Sequence, residues 1–305
     1  MNELQTRITV GAYDLHEIAP HDLSTLADAV SHVNSALWAA YPPFVLAYGQ
    51  SSARKVMLTE LDDGLAILVQ RKIRRTLHLD YLIPPLVVGC TSDLTREIAA
   101  FNGELETRML WADLPTVAVW KSDGWEFSDN EREYVYRREQ VLSMSGGRFA
   151  MLRKRTHRCE REIQPEIRDF TPGDIVKCVD LLNRWQDLRE ADCAPVFDYR
   201  YTRSALEMAT DIPGMVGIVA VVDGVIRAFA FGGTTAGRTG CFFLLKSDPT
   251  VRGLSEYVRV QLMQRLDDCD LINDAGDLDR KGLARHKNLF RPVAFVPTWK
   301  GRFRG

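Results

Sequence analysis

Long hydrophobic runs are absent from this chain. The stretch Met215–Val222 has the length of a strand, and nothing approaches the roughly 20 apolar residues that a membrane-spanning helix needs. The first residues, MNELQTRITV, lack the basic start and apolar centre of a secretory signal. Together these absences predict a cytoplasmic protein with no stable membrane insertion. Clustered cysteines are missing as well. Cys90, Cys159, Cys178, Cys193, Cys241 and Cys269 are scattered, with no C-x-x-C among them. That spacing excludes a zinc or disulfide framework, so we expect reduced, buried or incidental thiols and no metal site. No Gly/Ser linker, low-complexity tract or tandem repeat divides the chain. The sequence also lacks a G-x-S-x-G elbow, an H-E-x-x-H pair and a Walker sequence, which sets aside the hydrolase, metalloprotease and nucleotidase motifs.

What is present is an ordinary globular composition: 46% hydrophobic and 26% charged residues over a length of 305. Such a chain can fill two cores, and two domains of similar size are the natural expectation. The net charge of −2 hides an asymmetry. From Arg280 to Gly305 there are eight basic residues (Arg280, Lys281, Arg285, Lys287, Arg291, Lys300, Arg302 and Arg304) and no acidic one. A second cluster, Arg153-Lys154-Arg155 with Arg158 and Arg161, lies mid-chain. Segregated positive charge suits a polyanionic ligand, because each neutralised phosphate releases counterions. A solvated helix face followed by a basic tail would give the same pattern.

Periodicity and turn residues give an element order. In the first half we expect a helix over Leu23–Trp38 and strands at Phe44–Tyr48, Val56–Glu60 and Leu65–Arg71. The last two are joined by a turn at Asp62-Asp63-Gly64. A helix from Ser92 to Leu110 and a strand at Thr116–Trp120 follow, with Tyr134–Tyr136 leading into the second half. There a helix at Arg148–Arg161 precedes a strand at Glu166–Phe170. Thr171-Pro172-Gly173-Asp174 then opens the next helix, with Thr as cap and Pro at the first position. A helix at Asp198–Met208 precedes a hairpin, Met215–Val222 and Val225–Gly232, turned by Asp223-Gly224. A strand at Cys241–Leu245, a helix at Gly253–Leu266, a strand at Leu271–Asn273, a helix at Asp279–Lys287 and a strand at Val293–Val296 complete the chain.

Local sequence in this second half resembles a known family. Gly146-Gly147-Arg148-Phe149 followed by Arg153-Lys154-Arg155, the helix tryptophan Trp185, Phe243-Leu244-Leu245-Lys246 and Arg252-Gly253-Leu254-Ser255-Glu256-Tyr257 occur in order. They are followed by Ile272-Asn273-Asp274-Ala275-Gly276-Asp277-Leu278 and Gly282-Leu283-Ala284-Arg285-His286-Lys287, then Phe290 and Pro292. This series is similar to the GNAT-like family of the phosphatidylglycerol lysyltransferase C-terminal domain and its soluble aminoacyl-tRNA-dependent transferase relatives. It departs from the family at Asp279, where glycine is usual, and at Ala275-Gly276 and Leu245, where a glutamate is common.

The resemblance implies an α/β (α+β) protein of tandem GNAT-like acyltransferase folds, with mixed central sheets and flanking helices. Residues 1–145 would form an N-terminal GNAT-like domain and residues 146–305 the catalytic one. It further implies an aminoacyltransferase that moves an aminoacyl group from aminoacyl-tRNA to an amine or hydroxyl of a small-molecule or peptide acceptor. No cofactor is expected beyond that co-substrate. In this reading Arg153, Lys154, Arg155, Arg158, Arg285, Lys287 and Arg291 grip tRNA phosphates. Asp274 and Asp277 bind the aminoacyl ammonium or accept a proton, Lys246 steadies developing negative charge, and Asn273 orients either partner. Each of these residues also has a plain structural alternative: Asp277 as a helix cap, Lys246 at a strand end, Asn273 in a turn, Arg285 and Lys287 complementing a helix dipole, Trp185 in the core. His286 is a further candidate base.

An acyl-CoA-dependent N-acyltransferase is the alternative enzyme. The segment Asp248-Pro249-Thr250-Val251-Arg252-Gly253-Leu254-Ser255 holds a single glycine where CoA enzymes of this fold carry a glycine-rich pyrophosphate loop, so CoA is the less favoured donor. A tRNA- or nucleotide-binding module with a decayed transferase site is the non-enzymatic alternative.

Overall fold

A computed structural model describes residues 6–50, 54–73, 75–87, 91–191 and 198–304. The chain forms two compact units, one of residues 1–133 with 296–305 and one of residues 134–295.

In the first unit, β1 (Arg7–Val10) and β2 (Tyr13–Glu17) are followed by α1 (Leu23–His32) and α2 (Pro42–Gly49). The antiparallel meander β3 (Arg54–Leu61), β4 (Gly64–Ile73) and β5 (Thr76–Tyr81) comes next. Then follow α3 (Ser92–Asn102), β6 (Arg108–Ala112), α4 (Leu114–Trp120) and β7 (Trp125–Arg137). The core gathers Met57, Leu68, Tyr81, Leu94, Ile98, Trp120 and Trp125, all buried. Fully burying one such large side chain contributes about 1.5–3 kcal/mol.

The second unit contains α5 (Arg138–Ser143), α6 (Ala150–Glu162), β8 (Glu166–Asp169), α7 (Ile175–Ala191) and α8 (Tyr199–Met208). The strands β9 (Met215–Val222), β10 (Val225–Thr234) and β11 (Thr239–Ser247) form its meander, and α9 (Leu254–Arg265), β12 (Leu271–Asn273) and α10 (Lys281–Asn288) follow. The strand order is β7-β12-β11-β10-β9-β8. Asp223 and Gly224 both have positive φ, 50° and 73°, which is what a two-residue hairpin with the right-handed strand twist requires. At the entry to α7, the Asp174 carboxylate accepts from the amide and the hydroxyl of Thr171, and Arg168 clasps it through both of its terminal nitrogens.

The element order expected for the second half is the observed one. The division at 145/146 differs from the compact units at both ends. β13 (Ala294–Phe303) pairs with β6, and the end of β7 pairs with β12. Each unit's sheet is therefore completed by a strand distant in sequence. Two expected strands are helices. Phe44–Tyr48 lies inside α2, and Thr116–Trp120 lies inside α4, where the Asp113 carboxylate accepts from the Thr116 amide at 3.1 Å. The helix expected to reach Leu110 ends at Asn102, because Gly103 turns the chain at φ 63° and Arg108–Ala112 joins a sheet. The helix expected to reach Trp38 stops at His32, and Asn34 follows with φ 50°.

Cys159, Cys178, Cys241 and Cys269 are buried and free; Cys90 and Cys193 lie outside the described residues. Burial pushes the Cys159 thiol up to about 11 and that of Cys178 to about 12, so neither carries a thiolate at neutral pH. No described helix is long and apolar enough to cross a membrane.

Candidate active site

The second unit's sheet opens between its two parallel strands. β11 and β12 pair over only three residues, ending at Cys241 opposite Asn273. Beyond that point the chain after Asn273 stays with β7: the Asp274 amide donates to Tyr134 O at 2.9 Å, and the Tyr134 amide donates to Ala275 O at 3.0 Å. β11 runs on to Ser247 without it. The backbone then turns through three left-handed non-glycine residues, Ala275 (φ 55°), Leu278 (φ 54°) and Asp279 (φ 54°). Each costs roughly 1 kcal/mol or more unless its surroundings impose it, and such positions cluster where a site needs a fixed loop.

The surroundings do impose it. Lys287, on α10 and buried, points its ammonium into the loop and donates to three successive carbonyls, those of Asp274, Ala275 (3.1 Å) and Gly276 (2.6 Å). From β7, two tyrosines spaced to share one face reach the two aspartates. Tyr134 Oη donates to Asp277 Oδ2 at 2.5 Å, and Tyr136 Oη donates to Asp274 Oδ2 at 3.0 Å. Burial raises the Tyr136 hydroxyl well above its usual range, and the neighbouring Asp274 charge adds to the effect, so it remains a donor. Asn273 Oδ1 accepts from the Ala275 amide at 3.0 Å, and Asp277 Oδ1 from the Asp279 amide at 3.0 Å. Arg259 of α9 completes the cluster, with Nη1 2.5 Å from Asp274 Oδ2 and its guanidinium over Phe242, 4.1 Å from the ring centroid.

A second constellation surrounds the start of α9. Glu256, buried, accepts from Arg155 Nη1 of α6 at 2.6 Å and lies 3.6 Å from His286 Nδ1 of α10. Burial alone would raise its carboxyl, but His286 and Arg155 outweigh that and hold it at about 2. Next to it a cavity of about 310 Å³ is lined by Arg155, Arg158, Arg252, Gly253 and Glu256. Three guanidinium groups converge there at a helix start, an arrangement suited to phosphate.

Two outcomes follow. A depressed carboxyl stabilises the fold fully above its unfolded value, 4.5, and the contribution fades as pH falls toward 2. Wild type should therefore exceed Glu256→Gln in urea-unfolding free energy by about 2 kcal/mol at pH 7, allowing for screening at the half-exposed Arg155, with the difference vanishing near pH 2. Gly253 adopts φ 81°, and a Cβ there would lie 2.7 Å from Arg155 O. Gly253→Ala should accordingly cost about 1–3 kcal/mol in the same measurement.

The structure thus assembles most, not all, of the residues expected from sequence. Asn273, Asp274 and Asp277 share one loop, into which Lys287 reaches from α10; Lys287 is internal and holds backbone where a phosphate contact was expected. Arg155 and Arg158 line the basic cavity, Arg158 also bonding Glu162 at 2.6 Å. Lys154 and Arg285 are exposed. Arg153 is turned back onto the carbonyls of Met144 and Gly146, and Arg291 Nε onto Arg148 O at 2.6 Å. Lys246 is buried, paired with Asp198 and 4.2 Å above the Trp185 ring, so its charge is already neutralised. The C-terminal basic run is divided between the two units: Lys300, Arg302 and Arg304 belong to the first, where Arg304 pairs with Glu106 and Glu126. Sequence reasoning passed over Arg259, used Tyr134 and Tyr136 only as a strand signal, and took Arg252 and Glu256 only as part of a motif. Charged residues at 256 and 259 among the apolar Leu254, Val258, Val260 and Leu262 of α9 were the available signal.

The family model for the phosphatidylglycerol lysyltransferase C-terminal domain matches residues 67–300, spanning this loop and the basic cavity. The chain belongs to that family. No curated protein matches it in sequence. Among solved structures, a conserved protein of unknown function from Bacteroides thetaiotaomicron superposes with a TM-score of 0.80 at 18% identity, covering 95% of this chain and 99% of that one. The C-terminal domain of a putative lysylphosphatidylglycerol synthetase from Agrobacterium fabrum gives 0.62 at 17% identity, covering 93% and 92%. A tandem GNAT protein from the clavulanic acid biosynthesis pathway gives 0.51 at 11% identity, covering 95% and 98%. The fold of this family member is the GNAT-like acyltransferase fold that the resemblance implied.

Proposed function

We propose that the protein is an aminoacyl-tRNA-dependent aminoacyltransferase that delivers its aminoacyl group to an amine or hydroxyl of a small-molecule or peptide acceptor. The observation that carries this reading is the meeting of α6 and α10 on Glu256, beside a cavity with three arginines and one turn of α9 from Arg259, which lies over Phe242 where β11 parts from β12. An ester on a polyanion needs a phosphate grip and a cleft for its carbonyl close together. Arg155, Arg158 and Arg252 supply the grip. Asp274 is committed to Arg259 and Lys287, which leaves half-buried Asp277, oriented by Tyr134, as the carboxylate for the donor's α-ammonium. Asn273 fixes the turn between them.

The test is transfer from a mixture of radiolabelled aminoacyl-tRNAs to the small molecules and peptides of a cell extract. A labelled small product, with donor binding that weakens steeply as salt rises, is expected. No product with any amino acid, alongside turnover with an acyl-CoA, would reject this donor. The CoA reading keeps one argument of its own, since the cavity at the start of α9 would also accept a pyrophosphate. Saturable thermal stabilisation by CoA, absent with tRNA, would favour it.

A further inference from the structure

The proposed transfer needs a group to receive the negative charge that develops on the ester carbonyl oxygen, and Lys246, expected from sequence to supply it, is already paired with Asp198. A second cation stands at the point where the sheet divides. Arg259 lies over Phe242, the first residue of β11 beyond its last pairing with β12, and beside Asp274, the first residue after β12. It is only 6% exposed. Its Nη1 is engaged with Asp274 Oδ2 at 2.5 Å, and its Nε makes no hydrogen bond among the described residues. Buried guanidinium N–H groups without an acceptor are costly, by about 1–3 kcal/mol each, and rarely persist without a reason. The cluster has one buried guanidinium N–H, at Nε, to spare.

We propose that Arg259 is the oxyanion-binding catalytic residue of this site, taking the carbonyl oxygen of the transferred acyl group or another small oxyanion. This rests on the acyl-transfer reading above. In the step itself the acceptor nitrogen attacks the ester carbon and forms the C–N bond. The carbonyl electron pair moves to oxygen, and Arg259 donates to that oxygen. When the pair returns, the bond to the ribose oxygen breaks, and the proton lost by nitrogen ends on that leaving oxygen. Arg259 serves through Nε without breaking a hydrogen bond, and Asp274, itself held by Tyr136, keeps the guanidinium from turning away through Nη1.

Two measurements test this. Thermal unfolding in sodium formate, against sodium chloride at equal ionic strength, should show a saturable rise for wild type. The rise should be absent in Arg259→Met and in the charge-balanced double variant Arg259→Met/Asp274→Asn, which guards against misfolding of the single one. With an active donor in hand, Arg259→Met should lower kcat about 10²–10³-fold and leave KM for the donor within about twofold, and Arg259→Lys should recover part of kcat. Equal formate stabilisation of wild type and the variants, or none of wild type, overturns the site; so does a folded Arg259→Met with unchanged kcat. If no aminoacyl-tRNA is a donor but formate still reads Arg259, the proposed function falls and the anion site stands.

Discussion

Replacing Asp274 with alanine is expected to lower the free energy of unfolding by about 3–5 kcal/mol, read from urea denaturation at neutral pH. The size follows from what the carboxylate holds. It lies 2.5 Å from Arg259 and 3.8 Å from Lys287, all three nearly dry, and accepts the Tyr136 hydroxyl. Removing it leaves two buried cations without that counter-charge, while the Tyr136 hydroxyl keeps only its longer contact to Lys287 O, at 3.2 Å. A buried pair adds little over well-packed apolar residues, yet half a pair is far worse than either. Asp274→Ala/Arg259→Met should for that reason be less destabilised than the sum of its single changes, by a coupling of about 1–3 kcal/mol. Asp274→Asn, which still accepts from Tyr136, should fall between wild type and alanine. Additive single changes would mean that Arg259 does not depend on Asp274, and the cluster described here would lose its centre.

How much of this was legible in the sequence depended on whether the signal was local. The second half was read correctly because its elements announce themselves: Thr171-Pro172 opens one helix, Asp223-Gly224 turns a hairpin, and Asn273 ends a strand before a polar loop. Besides two helices that end earlier than expected, the errors were short apolar runs. Phe44–Tyr48 and Thr116–Trp120 are too brief for period 2 and period 3.6 to be told apart. Each is nonetheless preceded by proline in the first helical turn, Pro42 and Pro43 in one case and Pro115 in the other, with Asp113 as the cap of the second. Those residues argued for helix and were outweighed by the density of apolar side chains. The exchange of partners at β13 and β7 could not have been read, since pairing across more than 130 residues leaves no local trace. The site divides in the same way. Asn273, Asp274 and Asp277 stand together in one motif, and the fold keeps them together. Arg259 is made important only by the neighbours that α9 brings to it, Phe242, Phe290 and Asp274. Charge counting found the basic clusters but could not separate the arginines that line a cavity from Arg153 and Arg291, whose donors are spent on backbone carbonyls.

Lys287 shows that difference most sharply, and Lys287→Met should have the second large effect. Methionine matches the length and volume of lysine but gives the carbonyls of Asp274, Ala275 and Gly276 nothing to accept. Leaving buried acceptors unsatisfied costs about 1–3 kcal/mol each, so a loss of roughly 3 kcal/mol or more is expected, part of it offset because one buried cation is removed beside Arg259. Arginine should not substitute, since a planar fork cannot converge on three successive carbonyls as a tetrahedral ammonium does. Hydrogen exchange separates this account from the surface role that charge alone suggested. If the lysine ammonium holds the loop, the amides of Ala275 and Asp279, which bond to Asn273 and Asp277, should lose protection in Lys287→Met while the amides of β10 keep theirs. A phosphate-gripping surface lysine would leave all of them unchanged and would weaken donor binding alone. The three left-handed residues at 275, 278 and 279 make the first outcome the physically required one: a backbone in that conformation relaxes once the charge at its centre is gone.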